Sequence, residues 1–556
     1  MTSAVQSSAL EPSPIISVAT NAWDEVARAL RSAGVDRVFG LPDDDMQAAC
    51  AFESQGIEVL WCSSQRTAVH MATGAALASG KVTVCLLGRG PAVAAAVPGM
   101  LEALTSSAPI IVLASGTATS RLATRAFQDA PLVPMAEPVT KWAVRVPDAN
   151  SVVPIVTSAL VRAAAGSGGP VFVEIPDGLG APSDPPVAPP VTPSRESLAD
   201  LLNTSSRTLV LLGGGARSAG CIAAYLELAE SLDAAVLTTA SGRGSFPESN
   251  NRYLGLSGLY MMPQTADLVA TADLVIVLGS RLEETAVMGL PTHAPWLQIN
   301  VAVEDVDFSR SGQYLELPVQ RLGELTSQIT TKFPSGHLST WSGEINSVRE
   351  VLRLTGTSWA GSRCVETLTA LAKGMPSDAI VVHENGLHDI WSYLVPFFSL
   401  GDGIKSVVPS EQTTLGFGVA AAAGIAADSG KVVVCIGGDG AFDSFSPDLS
   451  FLIRNELSLM YVIFDDGGFG WLDRQARQEG AKIRFVETPG STLSRSANAG
   501  DGGRLCFQTV EATDDVAAAI SFGMERARDG KVTVLRIICT EDDIPPVLQN
   551  PGQVVA

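Results

Sequence analysis

Short runs of aliphatic and β-branched residues alternate with alanine-rich stretches along almost the whole chain, and this alternation restricts the fold more than any other feature. Short apolar runs are typical of buried strands, whereas the longer alanine-rich stretches between them are typical of helices. A repeated strand–helix order predicts parallel sheets covered by helices on both faces. The fold class expected from the sequence is therefore α/β.

The alternation falls into separate blocks, which predict three doubly wound parallel-sheet domains at residues 16–182, 195–335 and 360–545. A chain of 556 residues is too long for one hydrophobic core, so several domains are expected on size alone. The proline-rich stretch at 176–194 cannot form a helix or a central strand, and it is predicted to link the first two domains.

Charge and cysteine usage narrow the class of protein. The formal net charge of -21, without any run of Lys or Arg, argues against a nucleic-acid or anionic-membrane partner and leaves small molecules as the expected ligands. No stretch offers the ~20 apolar residues that a membrane span needs, and the first residues lack the pattern of a secretory signal. The 8 cysteines form no Cys-x-x-Cys pair, as expected for buried thiols of the reducing cytoplasm.

Two polar clusters follow two predicted strands of the third block. Gly438-Asp439-Gly440 comes after Val-Val-Val-Cys-Ile-Gly, and Asp466 and Gly468 come after Tyr-Val-Ile-Phe-Asp. Parallel strands bring such ends to one edge of the sheet, where open α/β sheets bind ligands. The glycines let phosphate oxygens approach the backbone, while Asp439, Asp466 and the carbonyl of Gly468 are predicted ligands of Mg²⁺.

This arrangement resembles the thiamine-diphosphate-dependent enzymes, whose signature is Gly-Asp-Gly followed at this spacing by Asn-Asn and a glycine; here Asp465-Asp466 replaces Asn-Asn. The resemblance covers essentially the whole chain and is strongest to the large subunit of acetolactate synthase. It implies a pyrimidine-binding, a central and a diphosphate-binding domain, with thiamine diphosphate and Mg²⁺ as cofactors. It also implies a site between the first domain of one subunit and the third of another, hence a homodimer or homotetramer.

The same resemblance assigns cofactor contacts residue by residue. Leu415, in Thr-Leu-Gly-Phe-Gly, would wedge between the two rings of the cofactor, and His388 would reach the diphosphate; plain core packing and a structural histidine are the alternatives. The full set of implied cofactor-binding residues is Gly386, Leu387, His388, Thr413, Leu415, Gly438, Asp439, Gly440, Ala441, Asp466, Gly468 and Gly470.

Substrate contacts are implied for Phe127, Gln128, Lys141 and Trp471. The segments Thr-Arg-Ala-Phe127-Gln128-Asp and Pro-Val-Thr-Lys141-Trp resemble the border of the substrate channel in acetolactate synthases. A surface loop with one buried phenylalanine is the alternative interpretation.

The family's catalytic glutamate, which exchanges a proton with the aminopyrimidine ring, falls at Gln65. An amide can hydrogen-bond the ring but cannot carry the proton, and loss of a general acid or base commonly costs ~10²–10⁴ in rate. Asp44 falls where pyruvate decarboxylases carry a catalytic aspartate, although an Asp-rich turn is also a common structural element. Gln65 and Asp44 are thus the candidate catalytic residues.

Two more departures concern the acceptor and a second cofactor. The family's Arg that pairs with the acceptor carboxylate falls at Thr285, and its substrate-shaping Trp falls at Gln475. Without that Arg, the acceptor is expected to be an aldehyde, ketone or thioester as readily as a second keto acid. The segment around Thr285 helps hold FAD in acetolactate synthases, so FAD is doubtful here, and the Gly213-Gly214-Gly215 turn lacks the full spacing of a dinucleotide site.

The function implied by the resemblance is carboligation: a 2-keto acid such as pyruvate is decarboxylated, and the resulting enamine adds to a carbonyl acceptor. Two alternatives stay open. Asp44 favours a simple 2-keto acid decarboxylase, whereas Gln65 favours a weakly active paralogue that binds the cofactor.

Overall fold

The computed structural model describes residues 21–41, 46–62, 64–122, 124–179, 190–310, 312–322, 339–359, 362–445, 449–478, 503–540 and 543–548. Within these residues the chain forms three six-stranded sheets, and every pair of neighbouring strands in them is parallel. The predicted α/β class with three parallel sheets is therefore confirmed.

The first sheet has the strand order β2-β1-β3-β4-β6-β5. Its strands and helices are β1 (Arg37–Gly40), β2 (Glu58–Trp61), β3 (Thr83–Leu87), β4 (Ile110–Gly116), β5 (Trp142–Arg145), β6 (Val171–Pro176), α1 (Ala22–Ser32), α2 (Gln47–Ser54), α3 (Gln65–Ser79), α4 (Pro91–Thr105), α5 (Leu132–Ala136) and α6 (Val152–Ala164). Local signals fix the ends of α3, because the Ser64 side chain accepts from the backbone N–H of Thr67 and Gly80 ends the helix in a left-handed conformation.

The second sheet has the strand order β12-β11-β10-β7-β8-β9. The chain builds the sheet outward in opposite directions from the neighbouring parallel strands β7 and β10. Its elements are β7 (Thr208–Leu212), β8 (Ala235–Thr238), β9 (Tyr253–Leu256), β10 (Leu274–Leu278), β11 (Trp296–Asn300), β12 (Gly312–Glu316), α7 (Arg195–Thr204), α8 (Gly214–Ala219), α9 (Ile222–Ser231), α10 (Pro263–Val269) and α11 (Glu284–Val287). All five residues of β7, β8's four residues and all five of β10 are buried, as expected for central strands covered on both faces.

The third sheet repeats the order of the first, as β14-β13-β15-β16-β18-β17. Helix α12 (Thr340–Ser358) precedes it, and its elements are β13 (Ile380–His383), β14 (Lys405–Val407), β15 (Val433–Gly438), β16 (Leu459–Asp465), β17 (Leu505–Val510), β18 (Val532–Ile538), α13 (Arg363–Gly374), α14 (Leu387–Tyr393), α15 (Phe417–Ser429), α16 (Asp439–Phe445), α17 (Leu449–Arg454), α18 (Gly470–Gln478) and α19 (Val516–Arg528).

Each sheet separates two hydrophobic clusters, one on each face. In the first sheet, Val84 and Leu86 of β3 pack into one cluster, whereas Cys85 and Leu87 of the same strand pack into the other. The other two sheets divide their buried side chains in the same way. This alternation follows from the two-residue period of a strand, and it accounts for the nearly continuous apolar runs in the sequence.

Helix α12 joins the second and third domains and was not assigned to either from the sequence. Trp341 and Ile345, near its start, lie in the core of the central domain, whereas Leu352 lies in the core of the third. A buried ion pair strengthens the same junction: Arg243 pairs with Glu248 of the central domain and donates to the carbonyls of Ser392 and Phe398 in the third. No helix among the residues described above is long and apolar enough to cross a bilayer.

Candidate active site

Three neighbouring strands of the third sheet end side by side and carry the predicted cofactor residues. Strands β13, β15 and β16 end at His383, Gly438 and Asp465, and the sheet order reverses between β13 and β15. A crevice forms at such a reversal because the following helices leave on opposite faces. The structure therefore brings the Gly386–His388 segment, Asp439 and Asp466 to one edge of the sheet.

Asp439 is buried and Asp466 half-buried, and the charge of Asp466 acts on Asp439. Burial, and next the charge of Asp466, raise the pKa of Asp439 to about 8. Burial, and next the charge of Asp465, raise the pKa of Asp466 to about 6, although the N–H groups of Gly468 and Gly470 donate to its carboxylate. An unbalanced pair of anions, one buried and one half-buried, is what a divalent cation would neutralise.

The chemistry of these donors fits Mg²⁺ together with a diphosphate. Among the described residues no group of three or more His, Cys, Asp or Glu side chains is arranged to hold a metal. Magnesium is commonly bound by one or two carboxylates, with water and substrate phosphates completing its octahedron. Asp439 after β15, together with Asp466 and the Gly468 carbonyl after β16, would be the protein ligands of the Mg²⁺ ion.

The second acid of the Asp465-Asp466 pair is neutralised within the fold. Asp465 forms an ion pair with Arg536 of the adjacent strand β18, and its other oxygen accepts from the N–H of Gly467 at 3.0 Å. Asp465 thus shapes the turn, and Asp466 is the member of the pair that is left for a metal. Sequence reasoning missed Arg536, because nothing in the local sequence links it to the motif.

His388 lies against the two glycines Gly386 and Gly438 that were predicted to approach the diphosphate. Its Nε2 donates to the carbonyl of Glu384 at 3.0 Å, and its ring stacks on Phe464 at 6.2 Å. Burial lowers the pKa of His388 to about 4, so the ring is neutral near pH 7 and its one N–H is already used. A Cβ at Gly438 would lie 3.1 Å from this ring. The ring thus supports the glycine turn, and its contact with the diphosphate stays a prediction.

Glu384 fixes the two segments that were predicted to hold the cofactor, and sequence reasoning did not select it. This fully buried carboxylate follows β13 and accepts from the backbone N–H groups of Asn385, Gly416, Gly418 and Val419. It thereby ties the segment before α14 to the turn that carries Leu415. Leu415 is half-buried against the core below, so one side of it remains available to a ligand.

The first domain contacts the third domain within the same chain. Gln128 Nε2 donates to Thr413 Oγ1 at 2.9 Å, and Met46 before α2 and Trp61 at the end of β2 pack with Ala476 of α18. The resemblance implies a site between the first domain of one subunit and the third of another, and that sharing stays a prediction. Gln65 lies half-buried in the first turn of α3, directly after β2, and therefore at this edge.

The sequence predicts substrate contacts for Lys141 and Trp471, a cofactor contact for Ala441 and a catalytic role for Asp44. Lys141 precedes β5 at the opposite edge of the first sheet, where its Nζ donates to the carbonyls of Arg162 and Ala165 at the end of α6. That position does not bring it to Gln128, and capping α6 is the role the structure gives it. Trp471 is half-buried against the third-domain core, Ala441 is buried, and Asp44 lies outside the described residues.

The central domain contacts the first and third domains through the start of α11 (Glu284–Val287). Thr285 donates its N–H to Glu411 Oε1 at 3.2 Å and its hydroxyl to the same oxygen, and Glu284 accepts from the N–H of Phe127 at 2.8 Å. The glycine turn after β7 is crowded, since a Cβ at Gly215 would lie 3.0 Å from Gly279 Cα. Close packing of backbones thus accounts for its glycines without a dinucleotide.

The fold and the site define a multidomain α/β enzyme that binds a cofactor at the carboxyl edge of its third sheet. Comparison with known families agrees with this definition domain by domain. Residues 20–133 match the N-terminal TPP binding domain of thiamine pyrophosphate enzymes, residues 195–319 match their central domain, and residues 385–536 match their C-terminal TPP binding domain. The chain belongs to the thiamine pyrophosphate enzymes.

Whole-chain relatives narrow the class further. The chain is 28% identical over 469 residues to the acetolactate synthase isozyme 3 large subunit of Escherichia coli, covering 79% of this chain and 80% of that one. It is 25% identical over 468 residues to the acetolactate synthase large subunit of Lactococcus lactis, covering 80% of each. The protein is thus a thiamine-diphosphate-dependent enzyme of the transferase or lyase kind, of the carboligase type.

Proposed function

We propose that this enzyme decarboxylates a 2-keto acid, with pyruvate as the first substrate to test, and joins the remaining two-carbon unit to a carbonyl acceptor. The observation that carries the proposal is the position of the buried Asp439 and the half-buried Asp466 side by side at the strand reversal. The contact of Gln128 in the first domain with Thr413 supports a crevice in which a cofactor diphosphate and a substrate would meet.

Each part of the site has a task in this proposal. Bound thiamine diphosphate supplies the electron sink that decarboxylation requires. Asp439 and Asp466 would hold Mg²⁺ together with the diphosphate, and Leu415 would support the cofactor from a turn fixed by Glu384. Phe127 and Gln128 would border the substrate. Gln65 would hydrogen-bond the aminopyrimidine ring, but its amide cannot carry a proton.

The half-buried Gln65 also supports a second candidate function, that of a paralogue that binds the cofactor and seldom turns over. A simple decarboxylase, favoured by Asp44, is the third candidate. Incubation with pyruvate, thiamine diphosphate and Mg²⁺, followed by proton NMR of the products, separates them. An acyloin or acetohydroxy acid supports carboligation, acetaldehyde alone supports decarboxylation, and unchanged pyruvate supports the inactive paralogue.

We also propose the metal, the flavin requirement, the compartment and the assembly of the enzyme. Mg²⁺ is the metal, FAD is not required, and the enzyme works in the cytoplasm as a homodimer or homotetramer. Light scattering gives the assembly. Mixing Asp439→Ala with Gln128→Ala then asks whether the site is shared, because recovered activity requires each variant to supply the half that its neighbour lacks.

A further inference from the structure

Segments of all three domains meet around Glu411, whose carboxyl group contacts the central domain. Glu411 lies two residues before Thr413, which accepts a hydrogen bond from Gln128 of the first domain. Its Oε1 accepts from both the N–H and the hydroxyl of Thr285 in the central domain. The Gln412 side chain between these contacts donates to the carbonyl of Asp129 at 3.1 Å. Glu411 therefore stands where the three walls of the crevice join.

One carboxylate oxygen of Glu411 accepts no hydrogen bond from the described residues. Oε2 is buried and has no hydrogen-bond partner among the described residues, and none of their ion pairs includes Glu411. An enclosed carboxylate oxygen without a donor is costly, unless a proton or a ligand satisfies it. The next two residues, Gln412 and Thr413, contact Asp129 and Gln128 of the first domain, so a ligand bordered by Gln128 would lie close to Glu411.

The charges around Glu411 make the junction unfavourable to another anion. Burial, opposed by the hydrogen bonds from Thr285 and supported by the charges of Glu283 and Glu284, raises the pKa of Glu411 to about 7. Burial, and next the charges of Asp389 and Glu411, raise the pKa of the neighbouring Tyr260. Of the cations on the packed elements, Arg121 is paired with Glu284, while Arg125 donates to backbone carbonyls and Arg281 pairs with Asp305. These arginines are thus engaged elsewhere, and Glu411 keeps its negative charge at alkaline pH.

Resting on the proposed carboligation, we infer that Glu411 determines the acceptor: it excludes a second 2-keto acid by charge repulsion and admits an uncharged aldehyde or ketone. In the resulting step the bond between the pyruvate carboxylate and its carbonyl carbon breaks with release of CO₂. A new carbon–carbon bond forms to the acceptor carbonyl carbon, and the acceptor oxygen takes up one proton from solution. The product is an uncharged hydroxyketone, with no net oxidation or reduction.

The test gives the enzyme pyruvate as donor and offers propanal and 2-ketobutyrate together as acceptors. These two acceptors carry the same ethyl group and differ by the carboxylate. With both at equal concentration, the wild type should favour the propanal product by at least about tenfold, as two like charges close together in a partly buried site predict. Glu411→Gln, which keeps the shape of the side chain, should lower that ratio by about fivefold or more.

Acidification supplies a readout that a purely structural role would not change. From about pH 8 to about pH 6, protonation of Glu411 should raise the share of the 2-ketobutyrate product in the wild type, while the share in Glu411→Gln should stay flat. Glu344→Gln is the matched control, since it makes the same change on α12 where Glu344 pairs with Arg207. Thermal unfolding checks that each variant is folded.

The outcomes distinguish a failure of the role of Glu411 from a failure of the proposed carboligation. Equal use of both acceptors by the wild type, or an unchanged ratio in Glu411→Gln, overturns the role of Glu411 and leaves carboligation standing. Failure to form any coupled product, including one made from two pyruvate molecules, refutes the proposed function, and the inference falls with it. Coupling of pyruvate to itself in preference to propanal overturns the role of Glu411 alone.

Discussion

Replacing Glu384 by Gln tests whether one buried carboxylate holds the two cofactor-binding segments in place. Oε1 accepts from the N–H groups of Asn385 at 3.0 Å and Gly416 at 3.2 Å, and Oε2 accepts from those of Gly418 at 2.7 Å and Val419 at 3.3 Å. The amide of Gln has a single oxygen. One of these two pairs of N–H groups must therefore lose its acceptor and face an NH₂ group.

The size of the effect follows from these bonds and from the burial that opposes them. A hydrogen bond to a charged group contributes ~1.5–3 kcal/mol, so the loss of two costs about 3–6 kcal/mol. Burial raises the pKa of Glu384, which means that holding its charge inside the protein has a cost that a neutral amide avoids. We therefore expect a net loss of about 2 kcal/mol, or roughly thirtyfold in an equilibrium constant.

This loss should be seen in cofactor affinity. If the Gly386–His388 and Thr413–Leu415 segments adopt the binding arrangement only part of the time, the apparent Kd rises by the inverse of that fraction. Thiamine diphosphate is titrated into wild type and Glu384→Gln at saturating Mg²⁺, and binding is followed by protein fluorescence. We expect a Kd raised by about one order of magnitude or somewhat more.

Asp543→Asn provides the matched control in the same domain. Asp543 accepts from the Ser362 hydroxyl at 2.6 Å and the Cys364 N–H at 3.0 Å, at the start of α13. Loss of that cap should lower the thermal midpoint, with a cost of about 1 kcal/mol, and leave the cofactor Kd within about twofold. The reasoning fails if Glu384→Gln binds the cofactor as tightly as wild type, or if both variants weaken binding equally.

Three further predictions test the rest of the site. Asp439→Ala should abolish retention of thiamine diphosphate through gel filtration, whereas Asp466→Asn should preserve it because an amide oxygen still ligates Mg²⁺; undiminished retention in Asp439→Ala would remove Asp439 from the metal site. Gln65→Glu should speed deuterium exchange at the thiazolium carbon of bound cofactor, read by proton NMR after an acid quench, since a carboxylate can carry the proton that an amide cannot. Equal exchange rates would mean that Gln65 is not the partner of the ring. The purified protein should be colourless or only weakly flavinated, and a stoichiometric flavin spectrum would contradict the doubt raised by Thr285 and the crowded Gly215 turn.

Much of the architecture is readable from the sequence, because each buried parallel strand must be apolar on both faces. Runs such as Thr208–Leu212 and Leu459–Asp465 therefore mark central strands by composition alone. The edge strand β5, whose residues are all half-buried, and helix α12, which divides its contacts between two cores, carry weaker signals and were not assigned. The two acids proposed to bind Mg²⁺, Asp439 and Asp466, are also readable as candidates, since they directly follow strands whose ends share one edge.

What the tertiary structure decided is which partner each polar group finds. Arg536 of β18 neutralises Asp465 of the adjacent strand β16, His388 uses its N–H on the carbonyl of Glu384, and Lys141 caps α6 at the far edge of its sheet. Glu384 and Glu411 stand alone in the sequence and acquire their roles from backbone amides and from Thr285, many residues away. Apolar periodicity is a local property that a single strand or helix displays, whereas hydrogen bonding and charge pairing depend on contacts that exist only after the chain has folded.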